Sequence, residues 1–278
     1  MLNTDKFNKT DIDNLDEITS DEIKENLKTL FIGKKIIHFE EIDSTNTYAK
    51  EIGGSCDEGT VITCERQVAG RGRLGRQWEA QNGSLCMSIV LKPKISMYQV
   101  AKITQVCAAA ISISLDELNV DAKIKWPNDL MLNNKKICGI LTEMNSDREH
   151  VNYVIVGMGL NVNNLYENFP SEIKNVATSI FNETGIKINK NIIAAKIMNN
   201  FEILYNEFVK SNNFKLSLDI CKKKSNIIGK NINLIKNNSI TSAKALSLGD
   251  DGELIVQYEN GEIDSIISGE ISVRAIEQ

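Results

Sequence analysis

Histidine is nearly absent from this chain, and its scarcity, with other absences, excludes several chemistries. Only His38 and His150 occur in 278 residues. None of the six cysteines (Cys56, Cys64, Cys86, Cys107, Cys138 and Cys221) forms a CxxC pair or has a histidine at ligand spacing. A zinc site is therefore not expected. The cysteines fall mostly in apolar runs of a chain too long to be a disulfide-stapled scaffold, so they read as buried thiols of a reducing compartment. No run of about eighteen apolar residues occurs, which excludes a helical membrane span. Residues 1–21 lack the basic start and apolar stretch of a signal peptide, and the expected location is the cytoplasm. The net charge of −5 argues against a surface given over to nucleic acid.

What is present suits a soluble globular chain. Hydrophobic residues make up 42% and charged residues 25%, enough for a core in one large domain and a small one, or in two medium ones. Residues 1–34 read as an acidic tail followed by a short helix. Ser20-Asp21-Glu22 looks like a helix start, Ile23, Leu27 and Leu30 repeat at helical spacing, and Gly33 is the expected end. Strands are expected at 36–39, 60–64, 84–91, 122–126, 131–132, 136–144 and 153–157, and helices at 45–52, 100–118 and 191–210. This mixed order predicts an α+β fold with a mixed sheet over residues 35–225. From Asn226 onward, short apolar runs alternate with Asp251-Gly252 and Asn260-Gly261 turn signals. They predict a small SH3-like β-barrel over residues 226–278.

Chemistry concentrates in four segments. The first is ERQVAGRGRLGRQW (65–78), where Arg71, Arg73 and Arg76 alternate with Gly70, Gly72 and Gly75. Glycine lets backbone approach a ligand, and the planar arginine fork binds anionic oxygens. Gly70-x-Gly72-x-x-Gly75 fits a dinucleotide fingerprint by letter only, because no apolar helix and no later acidic residue follow. A phosphate-binding P-loop fails as well, for want of Gly-Lys-Ser/Thr. A solvated charged turn remains an even alternative for this loop taken alone. The second is KWPNDL (125–130), in which Pro127 sets a bend and leaves Asn128 and Asp129 in a turn with free side chains. Taken alone, it reads as a hairpin with an Asn133-Asn134 tip. The third is VGMGLNVN (156–163), a strand ending in Gly-x-Gly that leaves room for a flat ligand beside Asn161. The fourth is IDSTN (42–46), by physics a helix cap, whose hydroxyl and amide groups also suit a polar ligand head.

These segments, with KKICGILTE (135–143) between the second and third, stand in the order that resembles the catalytic domain of biotin protein ligases. The segment SGEISVR (268–274) is similar to the end of that family's small SH3-like domain, and the resemblance spans residues 35–278. It implies a biotin–[acetyl-CoA-carboxylase] ligase, ATP- and Mg²⁺-dependent, that forms biotinyl-5′-AMP and passes biotin to a lysine of a biotin carboxyl carrier domain. By the same resemblance, Ser44, Thr45, Asn46 and Gln67 hold biotin's ureido head and adjoining chain. Arg71, Gly72, Arg73 and Lys136 meet its carboxylate and the α-phosphate, and Leu141 and Ile140 help line the apolar slot. Arg76, Trp78, Asn128 and Asn161 face the nucleotide, with Trp78 walling the adenine. Arg71 and Lys136 stabilise charge in the first step, and Asp129 orients the carrier amine or takes its proton. Glu270–Arg274 is a further candidate contact. A homodimer is open, with Ser88–Leu91 a candidate interface strand. The acidic start implies a monofunctional ligase without a DNA-binding domain and with no nucleic-acid partner. The alternatives are a lipoate–protein ligase, which normally lacks the GRGR and KWPND segments, and a noncatalytic biotin-binding regulator.

Overall fold

The run Ser84–Leu91 is buried along its whole length, as a strand covered on both faces must be. In the computed structural model, which describes residues 15–148, 150–236, 239–267 and 269–273, this strand is central to a seven-stranded mixed sheet. Its strands are β1 (Ile36–Ile42), β2 (Val61–Gln67), β3 (Ser84–Leu91), β4 (Lys123–Lys125), β5 (Asp129–Leu132), β6 (Lys135–Ser146) and β7 (Val151–Asn161). They lie in the order β1-β2-β3-β7-β6-β5-β4. Helices are α1 (Ser20–Glu25), α2 (Thr45–Ile52), α3 (Val100–Asp116), α4 (Ile180–Thr184), α5 (Lys190–Ser211) and α6 (Lys215–Lys224). β1 and β2 run parallel, so they need a crossover, which α2 supplies. The other neighbouring strands are antiparallel.

Strand alternation divides the apolar side chains between two layers. Ile62, Val90 and Ile155 join Ala49 of α2 on one face. Val61, Ile89 and Val156 share the larger core with Ile103 and Val106 of α3 and Phe201 of α5 on the other. Each such buried side chain contributes roughly 1.5–3 kcal/mol. The α2 face is only partly filled with apolar groups, and its remaining width carries the site.

After α6 comes a five-stranded antiparallel sheet of the small SH3-like kind. It contains β8 (Asn231–Lys236), β9 (Ser239–Leu248), β10 (Leu254–Tyr258), β11 (Ile263–Ile266) and β12 (Glu270–Val273), in the order β11-β10-β9-β8-β12. The Asp251-Gly252 and Asn260-Gly261 turns join β9 to β10 and β10 to β11, with both glycines at positive φ. The first turn is pinned to α3 and to the turn between β4 and β5. The carbonyl of Gly252 accepts bonds from Trp126 Nε1 at 2.9 Å and Gln105 Nε2 at 2.7 Å.

Several expectations need correction. The first helix stops at Glu25 instead of running to Gly33. Its next amides are taken by side chains of α5: Asn199 accepts from Lys28, and the Glu202 carboxylate accepts from Leu30, Phe31 and Ile32. Residues 15–19 are not a loose tail, because Ile18 is buried and Asn163 Nδ2 donates to Asp16 at 2.7 Å. Residues 1–14 lie outside the described residues. β7 does not end at Gly-x-Gly but continues to Asn161. Helices α4 and α6 were not anticipated; α6 is marked only by Leu218 and Cys221 turned inward beneath a lysine-rich end. Ser88–Leu91 lies between β2 and β7 with both edges paired, so it offers no edge to a second copy.

Candidate active site

The site is built on the α2 face of the sheet where glycines leave the strands bare. Gly139 on β6 pairs with Gly159 on β7, and Gly157 follows two residues before. A methyl at Gly159 would overlap the Trp78 indole, and one at Gly157 would overlap the Asn46 carboxamide. At Gly139, Lys136 and the Trp78 ring would both stand 3.1 Å away. The space expected for a flat ligand is thus shared with the chain's own Trp78 and Asn46, which form the walls of the remaining cleft. The empty space of that cleft, counted together with its solvent-open mouth, is about 450 Å³. Ser44, Thr45, Asn46, Gln67, Arg71, Gly72, Arg73, Trp78, Asn128, Lys136, Ile140 and Leu141 all line it.

One end of the cleft is a neutral hydrogen-bonded cluster. Ser44 is the N-cap of α2, yet its hydroxyl does not cap the helix. Instead Gln67 Oε1 accepts the Thr45 N–H at 2.8 Å and the Thr45 hydroxyl at 3.0 Å. Ser88 Oγ lies 2.7 Å from both Thr45 Oγ1 and Asn46 Oδ1. Asn46 Nδ2 donates to the Leu141 carbonyl at 3.2 Å and to Glu143 at 3.0 Å. Donors and acceptors sit side by side here, as a ligand carrying both requires.

The other end is cationic. The Gly/Arg loop turns through Arg73–Gly75, with Leu74 and Gly75 at positive φ. Arg71 Nη1 lies 3.2 Å from Glu143. Arg73 donates to Asn128 Oδ1 at 2.6 Å and to the Gly269 carbonyl at 3.0 Å, joining the loop to the KWPND segment and to the small sheet. Lys136 Nζ is 2.7 Å from Asp129 and 5.6 Å from the centre of the Trp78 ring. The Trp126–Pro127 peptide that leads into this corner is cis.

The structure gathers most of the expected residues, with three differences. Asn128 and Asp129 do not have free side chains: Asn128 is held by Arg73 and itself donates to the Ile140 carbonyl, and Asp129 pairs with Lys136. Asn161 is outside the cleft lining, buried with Nδ2 donating to the Thr178 carbonyl at 3.0 Å, because β7 carries it past the glycines. Arg76 is exposed and does not line the cleft. Ser268 and Arg274 lie outside the described residues, as do the side chains between 270 and 273. Sequence reasoning missed Glu143, Lys50 and Ser88. Ser88 could have been found as the polar position inside the apolar run of β3, which otherwise has a hydroxyl only at its first residue, Ser84.

A mixed sheet with a glycine-floored, arginine-closed cleft and a small β-domain behind it defines an adenylate-forming ligase of the biotin and lipoate type. The comparisons agree. The Biotin/lipoate A/B protein ligase family matches residues 38–161, and the Biotin protein ligase C terminal domain matches residues 227–274. The bifunctional ligase/repressor BirA of Bacillus subtilis is 33% identical over 260 residues, which cover 92% of this chain and 79% of that protein. The biotin protein ligase of Aquifex aeolicus, solved in complex with biotin and ATP, superposes with a TM-score of 0.77 at 31% identity, covering 87% of this chain and 99% of that one. A biotin–[acetyl-CoA-carboxylase] ligase of Paracoccus denitrificans is 35% identical over 123 residues, 43% of this chain and 51% of that protein. The chain belongs to the biotin protein ligase family.

Proposed function

We propose that the protein activates biotin with ATP to biotinyl-5′-AMP and transfers the biotinyl group to a lysine of a carboxylase's biotin carboxyl carrier domain. The observation that carries this reading is the pairing, in one cleft, of a neutral donor-acceptor end with a cationic end. Thr45, Asn46 and Gln67 suit the ureido ring, and Arg71, Arg73 and Lys136 suit two anions that must meet.

In the first step, a biotin carboxylate oxygen attacks the α-phosphorus of ATP and pyrophosphate leaves. Both reactants are anionic, so Arg71 and Lys136 offset their repulsion and stabilise the charge on the equatorial oxygens. Trp78 walls the adenine, and Asn128 completes the nucleotide side. Magnesium enters as part of the magnesium–ATP substrate. Its ligands in that complex would be chiefly the nucleotide phosphates. In the second step, the carrier lysine's neutral amine attacks the anhydride carbonyl and expels AMP. As Lys136 turns to the phosphate, the Asp129 carboxylate becomes available to orient that amine and accept its proton.

The reading divides the chain into a catalytic domain over 35–225 and a C-terminal domain over 226–278, preceded by the segment 1–34. It places the protein in the cytoplasm, supported by six free, buried thiols. No described helix is long and apolar enough to cross a membrane. Net negative charge supports the absence of a nucleic-acid partner. A homodimer belongs to the same reading, with β1 as a sheet edge for a second copy, since β4 at the other end is bridged at Ile124 by Ser225 and Asn226. The test is a two-stage incubation. Enzyme, biotin and magnesium–ATP should accumulate biotinyl-AMP, and adding an apo carrier domain should consume it and add one biotinyl group to the carrier. Accumulation without transfer would refute the second step, and no adenylate would refute the first.

A further inference from the structure

Glu143 receives donors from three side chains on two elements, Asn46 and Lys50 of α2 and Arg71 of the Gly/Arg loop. Its side chain is 15% exposed. Lys50 Nζ, from α2, stands 2.5 Å from Oε1, and Arg71 Nη1, from the Gly/Arg loop, stands 3.2 Å from the same oxygen. Asn46 Nδ2 donates to Oε2 at 3.0 Å. Burial works against the charge of Glu143, but the bonds from Lys50 and Asn46 and the nearby Arg71 outweigh it and hold the carboxyl below the usual carboxylate range. The group is therefore an anion at neutral pH, set at the border between the neutral and cationic ends of the cleft.

The charge count is uneven: two cations share one carboxylate. If Arg71 alone neutralised Glu143, drawing it away would strand a largely buried anion, which is strongly unfavourable. With Lys50 in place, Glu143 keeps a partner when Arg71 departs. The two cations are similarly exposed, Arg71 at 44% and Lys50 at 40%, but Arg71 rides on a loop while Lys50 springs from a helix whose backbone carbonyl at that residue accepts the Tyr153 hydroxyl at 3.0 Å. One cation is fixed and the other can be exchanged.

We propose that Glu143, with Lys50 as its standing counter-ion, is a positioning residue that docks the Arg71 guanidinium in the ligand-free enzyme and yields it to the anionic substrate. The docking contact keeps the loop arginine within reach of the cleft. Lys50 keeps that contact weak enough to be broken. The release half rests on the reading of Arg71 as a substrate-binding group; the docking half does not.

The test uses the full chain and two variants that should act in opposite directions. Glu143→Gln keeps the side-chain length and an acceptor for Asn46 but removes the charge. Lys50→Gln leaves Arg71 as the main cation on Glu143. Hydrogen–deuterium exchange of residues 68–78 without ligand should speed up in Glu143→Gln and slow down in Lys50→Gln, each by up to about fivefold, the range set by a partly exposed ion pair. Lys50→Gln should also raise the biotin KM several-fold with kcat nearly unchanged, because substrate now competes for a tighter arginine. Equal exchange in all three proteins, or a shift in the same direction in both variants, would overturn the docking. An unchanged KM in Lys50→Gln would overturn the release. Failure of the wild-type enzyme to activate biotin would refute the functional reading instead, leaving the exchange contrast to judge the docking on its own.

Discussion

Replacing Gly157 by alanine adds a single methyl, and the structure assigns it a large effect. The new carbon would overlap the Asn46 carboxamide. Asn46 is only 4% exposed and is fixed by the Leu141 carbonyl, Glu143 and Ser88, so it can yield only by breaking those bonds and moving into the cleft that biotin should fill. Overpacking of this kind costs ~1–3 kcal/mol of stability. Displacing the amide also removes hydrogen bonds worth about 1 kcal/mol each. If one or two such bonds to biotin are lost, the biotin KM should rise roughly 5- to 30-fold, since each 1.4 kcal/mol is about tenfold. The control is Gly54→Ala, where a methyl meets nothing within 4 Å; it should match wild type in KM and be at most ~1 kcal/mol more stable. Urea unfolding and steady-state kinetics on the two variants and wild type decide the matter. A Gly157→Ala enzyme with normal biotin KM would refute the claim that Asn46, seated against a bare stretch of β7, forms the biotin end of the cleft.

Three further outcomes follow from particular contacts. Asp129→Asn should slow transfer from preformed biotinyl-AMP by roughly 100-fold or more, whereas Lys136→Met should lower adenylate formation by a similar factor; rapid-quench measurement of each half reaction separates them. Lys190 is 1% exposed and its Nζ lies 2.8 Å from Glu65, so Lys190→Met removes the ammonium partner of a carboxylate that keeps the Ile18 N–H, and should cost roughly 1.5–3 kcal/mol in denaturant unfolding. Bonds from Lys123 and Lys224 lower the Asp121 carboxyl from its ordinary 3.8 to about 2, burial opposing them slightly. A carboxylate depressed in the folded state contributes stability that is present above pH 3.8 and lost as pH falls toward 2. Asp121→Asn should therefore flatten the stability profile between those values, with the effect reduced by solvent screening at this exposed position.

Much of the fold could be read directly from local pattern. β3 and α2 have the boundaries their apolar run and cap signal imply, because the information for each is contained in its own residues. The first helix is shorter than its periodicity implies because Asn199 and Glu202, some 170 residues away, claim its continuing amides. α6 escaped notice because its inward side chains are too few to stand out from its lysines. The site divides the same way. The Gly/Arg loop, KWPND and Ser-Thr-Asn announce themselves by composition, and the cleft brings them together. Glu143 does not, since its three partners are separated from it by 72 to 97 residues. Asn161 was expected to face the cleft because Gly-x-Gly looked like the end of a strand, yet antiparallel pairing with β3 and β6 carries β7 through it.

The most direct test of the account is ATP–pyrophosphate exchange by the purified protein with biotin, with lipoate, and with no acid. Exchange that requires biotin is the predicted result, and it would show that the cleft joins this acid to the α-phosphate. Exchange with lipoate alone would contradict the substrate assignment, and no exchange with either acid would contradict the claim that the arginine-closed cleft performs adenylation.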